Sequence, residues 1–317
     1  MTQLTFTDAE QQVKRRKTRR ERFLEQVEQL LPWSELEARI APHFPRGENG
    51  RPPHPLSSLL RIHCLQLFYN LSDPAMEDAL YEVASMRRFA GLSSTDALPD
   101  ETTILRFRHL LERHDLGRIL FDTINRHLQA KGLLLREGTI VDASLIAAPP
   151  STKNKARARD PEMHSSRKGK QWYFGMKLHI GVDDLTGTVH SATVTAGNVS
   201  DIAEADQLLH GKETRVFGDS GYTGIGKREE HKEREVRWQI AAKPGVRRAW
   251  SEDDPRREIE RKKAAIRARV EHPFHTLKQL WGYRKVRYRG LEKNANRLLL
   301  MLGLNNLHRH RETLLAG

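Results

Sequence analysis

Apolar positions recur every three or four residues from Glu21 to Ile40, with Phe23, Val27, Leu30 and Leu31 on one face, which predicts a helix. A second amphipathic stretch runs from Pro55 to Tyr69. Ser72-Asp73-Pro74 then opens another helix, with a capping side chain followed by a proline in the first turn. After a short segment around Met86 and Phe89, LSSTDALPDETT is a loop that ends in a further helix start. The helix from about Thr102 to His114 presents Thr103, Arg106, Arg108 and Arg113 outward. Ile104, Leu105, Phe107, Leu110 and Leu111 form its apolar stripe. Residues 1–22 and the Pro/Gly-rich stretch 43–54 carry no such period.

From Gly138 the period changes. GTIVDASLI is a β-branched run that reads as a strand; WYFGMKLHIGV and TVHSATVTAG alternate and are joined by DDLTG, a hairpin signal. Asp201 to His210 reads as a short helix in which Asp201 and Glu204 match a capping box. RVFGDSGY and VRWQIAAK are two further strands. Residues 255–281 form a long helix, and a last one surrounds LLLMLGLNNL. The order strand, hairpin, helix, strand, strand, helix, helix predicts an α/β domain, a ribonuclease-H-like mixed sheet flanked by helices. Three segments follow: a basic arm (1–22), an all-α, helix-turn-helix-like DNA-binding or dimerisation module (23–130), and the sheet domain (131–317). For the all-α module, a helical scaffold without DNA contact stands beside the DNA-reading alternative.

Charge sharpens this picture. The chain has 317 residues and a formal net charge of +13, which favours a polyanionic partner. In KRRKTRR (14–20) six of seven residues are basic, and STKNKARARDPEMHSSRKGK (151–170) holds seven Lys or Arg against two acids. The latter has too few apolar side chains to pack a core and is expected to be ordered only by an anionic partner. No apolar run reaches membrane-spanning length and no secretory pattern opens the chain, so a cytoplasmic protein is expected. The single cysteine, Cys64, lies in LLRIHCLQLF as a small hydrophobe and excludes disulfides and Cys-based zinc fingers.

The chemistry rests on three acids. Asp142 and Asp219 each end a strand, at places that a ribonuclease-H-like sheet brings side by side, and Glu271 lies on the long helix. Three carboxylates suit Mg²⁺, with Mn²⁺ as a substitute, and two such ions would activate the attacking oxygen and stabilise the leaving one. Each acid alone has a plainer explanation as a turn residue, a cap or a surface ion pair. Asp183 and Asp184 in the hairpin turn, and Asp201, compete with them. Gly218, Ser220 and Gly221 beside Asp219 permit close backbone approach.

PDETTILRFRHLLE, GTIVDASLI, DPEMHSSRKGKQWYFGMKLHIGVD, TAGNVSD, VFGDSGYTG, RARVEHPFHTLK and YRKVRYRGLEKN together resemble bacterial DDE transposases of the insertion-sequence-five type, over roughly Arg51 to Leu315. The resemblance implies a metal-dependent strand-transfer enzyme with Asp142, Asp219 and Glu271 as catalytic acids. It acts on double-stranded DNA, at transposon ends and target, as a dimer or higher oligomer in the bacterial cytoplasm, associated with the nucleoid. Related enzymes carry tyrosine, arginine, glutamate and lysine around the last acid, with two, three and six residues between them. Arg267, Glu271 and Lys278 keep that spacing, whereas Ala264 replaces the tyrosine. Arg267 and Lys278 are thus expected on end DNA, although Pro273 between Glu271 and Lys278 interrupts the helix.

Further DNA contacts are expected from Arg106 and Arg108, from Lys168, Lys170 and Trp172 at the basic loop, and from Arg284, Lys285, Arg287 and Arg289. Core packing is the alternative for the aromatics WYF (172–174), and a solvated loop for 284–289. His272 and His275 flank Glu271 and, without cysteine partners, read as packing or phosphate contacts rather than zinc ligands. Two other functions compete: a non-cleaving DNA-binding regulator, which the intact acids disfavour, and a ribonuclease-H-like nuclease, which would not need the helical module.

Overall fold

The computed structural model describes residues 16–45, 52–155 and 157–316. Residues 1–15 of the basic arm, 46–51 of the connector and the side chain of Lys168 lie outside the described set. The chain forms two compact units, Met1–Thr123 with Leu307–Gly317, and Ile124–Asn306.

The first unit is helical. The single helix expected over 21–40 is two, because Pro32 has no N–H to continue the ladder: α1 (Arg19–Leu30) and α2 (Trp33–Ile40). A reciprocal capping box starts α1, with the Thr18 hydroxyl accepting the Glu21 N–H at 3.2 Å and the Glu21 carboxylate accepting the Thr18 N–H at 2.7 Å. Its buried face is Leu24, Val27 and Leu30, with Leu31 just beyond; Phe23 is half-buried and meets the Phe68 ring edge-on at 5.1 Å. The helix α3 (Leu56–Tyr69) is not amphipathic, being buried from Leu59 to Phe68 except at Arg61. Arg61 pairs with Glu28 and Glu37 and stacks on Trp33. Cys64 is enclosed here, and burial pushes its thiol up to about 12.

Ser72 caps α4 (Asp73–Glu82) as expected, and α5 (Ala84–Phe89) follows. Asp100 caps α6 (Glu101–Arg113), its carboxylate accepting the Thr103 N–H at 2.7 Å. On α6 Arg106 is exposed, but Arg108 is not. The residue is 7% exposed and its guanidinium donates to Asp73 at 2.9 Å and Glu112 at 2.7 Å. The expectation that Arg108 contacts DNA is therefore corrected: two carboxylates inside the bundle hold its charge.

The boundary between units falls within α7 (Leu116–Ala130). Beyond it lies a six-stranded sheet: β1 (Gly138–Ala147), β2 (His164–Lys168), β3 (Gln171–Asp183), β4 (Val189–Ala196), β5 (Arg215–Gly218) and β6 (Arg237–Ile240). β3 pairs antiparallel with β1, β2 and β4, whereas β5 runs parallel to β1 and β6 parallel to β5. The resulting path β4-β3-β1-β5-β6 is the ribonuclease-H-like mixed sheet. Val141, Val216, Ala205, Leu208, Tyr222 and Ile225 form a core cluster against it.

β2 is a correction. The polar stretch expected to stay unstructured until a partner orders it contributes a strand, since β3 supplies the missing backbone partners from Gly175 to Gln171. Farther on, α8 (Pro255–Arg267) starts at Asp254, and α9 (Leu291–Arg309) supplies Asn306, whose amide both accepts from and donates to the Val189 backbone at 2.9 and 2.7 Å.

Candidate active site

Ile140 of β1 and Phe217 of β5 are register partners in parallel strands. Asp142 and Asp219 each follow their partner by two residues; β5 ends at Gly218, but β1 runs on to Ala147, so the expectation that Asp142 ends its strand is corrected and it stands within β1, level with the end of β5. Asp219 caps the 3₁₀ turn Ser220–Tyr222, its Oδ1 accepting the Gly221 N–H at 2.8 Å. A Cβ on Gly221 would come within 2.9 Å of that oxygen, and one on Gly218 within 3.0 Å of the Tyr222 ring. Glycine at these two positions lets the chain fold back around the carboxylate. Asp142 accepts the Ala143 N–H at 2.8 Å.

Burial pushes the Asp142 carboxyl up to about 6; the Ala143 N–H opposes this, the charge of Asp219 adds to it, Arg267 opposes it, and Asp201 adds to it. Among the described residues neither Asp142 nor Asp219 has an ion-pair partner. Two hard oxygen donors with excess negative charge between them suit a small divalent cation.

The third acid is placed differently. The long helix expected over 255–281 is composite: α8, a 3₁₀ turn Ala268–Val270, a short α-segment Glu271–His275 and a π-turn Thr276–Leu280. Pro273 falls in the first turn of the restarted segment, where a missing N–H costs little. The π-turn closes with the Trp281 N–H on the Thr276 carbonyl at 2.9 Å. Glu271 is exposed, as are Ala264, His272 and His275. Among the described residues no group of three His, Cys, Asp or Glu side chains is arranged to hold a metal ion. The structure thus brings Asp142 and Asp219 together and does not gather Glu271 with them into a three-acid cluster.

Lys278 is also redirected. Its ammonium donates to the Ser144 hydroxyl at 2.6 Å and the Leu145 carbonyl at 2.7 Å. The expected DNA contact is corrected to a tie between the π-turn and β1, because the bent helix turns this side chain onto the sheet. Arg267, half-buried, stays within electrostatic reach of Asp142.

Asp201 was expected as a cap, but no side-chain cap forms there. Its carboxylate instead accepts from Lys177 Nζ at 2.8 Å, and the same ammonium reaches the Val199 carbonyl at 2.7 Å. The turn Asp201–Ala203 packs on Ser220–Tyr222, which places Asp201 beside Asp142, Asp219 and Tyr222. Tyr222, which the sequence analysis did not single out, is buried beside these carboxylates. The other competing acids are structural. Asp183 accepts four backbone N–H groups, from Leu135, Arg136, Leu185 and Thr186, and Asp184 pairs with Arg215.

The basic loop is the tip of the β2–β3 hairpin, where Gly169 takes φ +62 at the turn. Lys170 is exposed there, and Trp172 is 66% exposed, while Phe174 is half-buried under the Arg159 guanidinium. Residues 284–289 are not a free loop. Backbone bonds of Arg284 and Val286 to Ala147 extend the end of β1, leaving the side chains of Arg284, Lys285, Arg287 and Arg289 outward.

Two aspartates without an ion-pair partner among the described residues thus come together on a ribonuclease-H-like sheet. The model of the transposase DDE domain matches residues 134–307, and a second transposase domain model (DUF772) matches residues 11–110. The chain belongs to the DDE transposases. No solved structure matches it. Among the described residues no helix is long and apolar enough to cross a membrane.

Proposed function

We propose that this transposase, of the insertion-sequence-five type, binds the terminal inverted repeats of its element, cuts at their ends and joins the freed 3′-hydroxyl to target DNA. The observation that carries this reading is the convergence of Asp142 and Asp219 beyond the Ile140–Phe217 register pair. Asp142 and Asp219 would hold Mg²⁺, or Mn²⁺ in its place, with Glu271 as the third acid. Two bound ions would supply Lewis-acid activation of the attacking oxygen and charge stabilisation of the leaving one.

The chain's own residues bind and orient the DNA. Arg267 offsets negative charge beside Asp142. Lys170 and Trp172 at the hairpin tip grip the backbone and stack on an unpaired base near the cut. Arg284, Lys285, Arg287 and Arg289 take phosphates past the end of β1, and Arg106 does so from the helical unit, with the sheet unit carrying the chemistry. Pairing two ends calls for at least a dimer, acting on nucleoid DNA in the cytoplasm.

The test is a Mg²⁺- or Mn²⁺-dependent nicking and joining assay on DNA carrying the element's ends. Wild-type protein should yield nicked and joined products, and Asp219→Ala neither. Unchanged activity in Asp219→Ala would overturn the site, and cleavage without end preference or joining would favour a general nuclease.

A further inference from the structure

Tyr222 is 1% exposed, yet its hydroxyl has no hydrogen-bond partner. A buried hydroxyl left unsatisfied costs stability, whereas phenylalanine would fill the same apolar niche among Val141, Ala205, Leu208 and Ile225. The ring is held firmly: it packs on Gly218, where any Cβ would crowd it at 3.0 Å, and it closes the 3₁₀ turn capped by Asp219. The hydroxyl stands within electrostatic reach of Asp142, Asp201 and Asp219 but hydrogen-bonds to none of them.

Those three carboxylates are not equivalent. Asp201 is matched by Lys177 at 2.8 Å, whereas among the described residues Asp142 and Asp219 are in no ion pair. The negative charge that a ligand would neutralise therefore lies with Asp142 and Asp219, and the unpartnered phenol hydroxyl lies within its electrostatic reach.

We infer that Tyr222 is a positioning residue of the cation site, its hydroxyl donating a hydrogen bond to a water in the shell of a divalent cation held by Asp142 and Asp219. This rests on the metal-binding reading proposed above. A donor one shell out fixes the orientation of a bound water and tightens the site without touching the metal. Lys177 serves the arrangement by keeping Asp201 from competing for that donor.

The test uses the full chain, without DNA, and Mn²⁺ alone, with free Mn²⁺ read from its paramagnetic resonance signal. Tyr222→Phe removes only the unpartnered hydroxyl, so the metal-free protein should keep or slightly raise its melting temperature. Its Mn²⁺ affinity should fall by about tenfold, in the range of lost second-layer partners. Asp219→Ala should lose binding far more completely. If Tyr222→Phe binds Mn²⁺ like wild type while Asp219→Ala does not, the role given to Tyr222 is overturned and the site stands. If Asp219→Ala also binds like wild type, or if wild type binds no Mn²⁺ up to millimolar concentration, the site and the inference fall together. A Tyr222→Phe protein that melts well below wild type without metal would mark the hydroxyl as structural and overturn the inference as well.

Discussion

Lys278 reaches across to β1 and donates to the Ser144 hydroxyl at 2.6 Å, two residues along that strand from Asp142. The tie couples the π-turn to the strand that carries the first aspartate. Lys278→Met should lower stability by about 1.5–3 kcal/mol, the range for a hydrogen-bonded charge. It should leave the salt dependence of DNA binding unchanged, because no phosphate contact is lost. Thermal melts and binding measured from 50 to 200 mM salt check both parts, and a shallower salt slope would return Lys278 to the DNA.

Asp142 sets a pH dependence. Its folded carboxyl titrates near 6, above the unfolded 3.8, so between those values the folded state binds more protons than the unfolded one. Stability of the metal-free protein should therefore fall as pH rises through that window. Asp142→Asn should flatten this fall and raise stability at pH 7 by about 3 kcal/mol at most. Melting curves at pH 4.5, 5.5 and 7 decide it. Cation binding reverses the preference, so Mn²⁺ affinity should drop as pH falls below about 6.

Arg108 gives the sharpest separation of stability from DNA contact. Arg108→Ala strands the Asp73 and Glu112 carboxylates inside the helical unit and should cost about 3–5 kcal/mol. Arg106→Ala, on the exposed face of the same helix, should cost less than about 0.5 kcal/mol and weaken DNA binding instead. Denaturant titration of the two variants checks the contrast.

Trp172 should behave as a contact residue alone. With 66% of its surface open, Trp172→Ala should leave the melting temperature within a degree or two. It should weaken binding to single-stranded or nicked DNA by about 1–3 kcal/mol, the worth of one stacked base. Loss, in Trp172→Ala, of the tryptophan fluorescence quenching that wild type shows on adding such DNA is the direct reading.

The sequence made the strands and caps legible because their signals are local. GTIVDASLI and RVFGDSGY are compact apolar runs, and Ser72 and Asp100 each cap the helix that follows. β2 was hidden because HSSRK carries no apolar alternation, and its strand form comes entirely from the partner β3. Pro273 marks an interruption of the long helix in the sequence, but the form of the break is not legible there, because spacing counts assume one constant turn whereas the 3₁₀ and π segments tighten and loosen it on either side of Glu271. Arg108 read as a surface base since only its partner Asp73, on another helix, reveals its burial. Within the site, the pairing of Asp142 with Asp219 followed from strand order, but the redirection of Asp201 to Lys177 depends on a hairpin geometry that no local pattern carries.

The helical unit draws residues from both ends of the sequence: Arg311–Ala316 packs on α1, and His308 meets the Phe23 ring at 6.0 Å. During synthesis the first helices must therefore wait for a segment made nearly three hundred residues later. Until residues 307–316 leave the ribosome, Phe23 lacks one of its covers, so this unit reaches its finished form after the sheet residues have already been made.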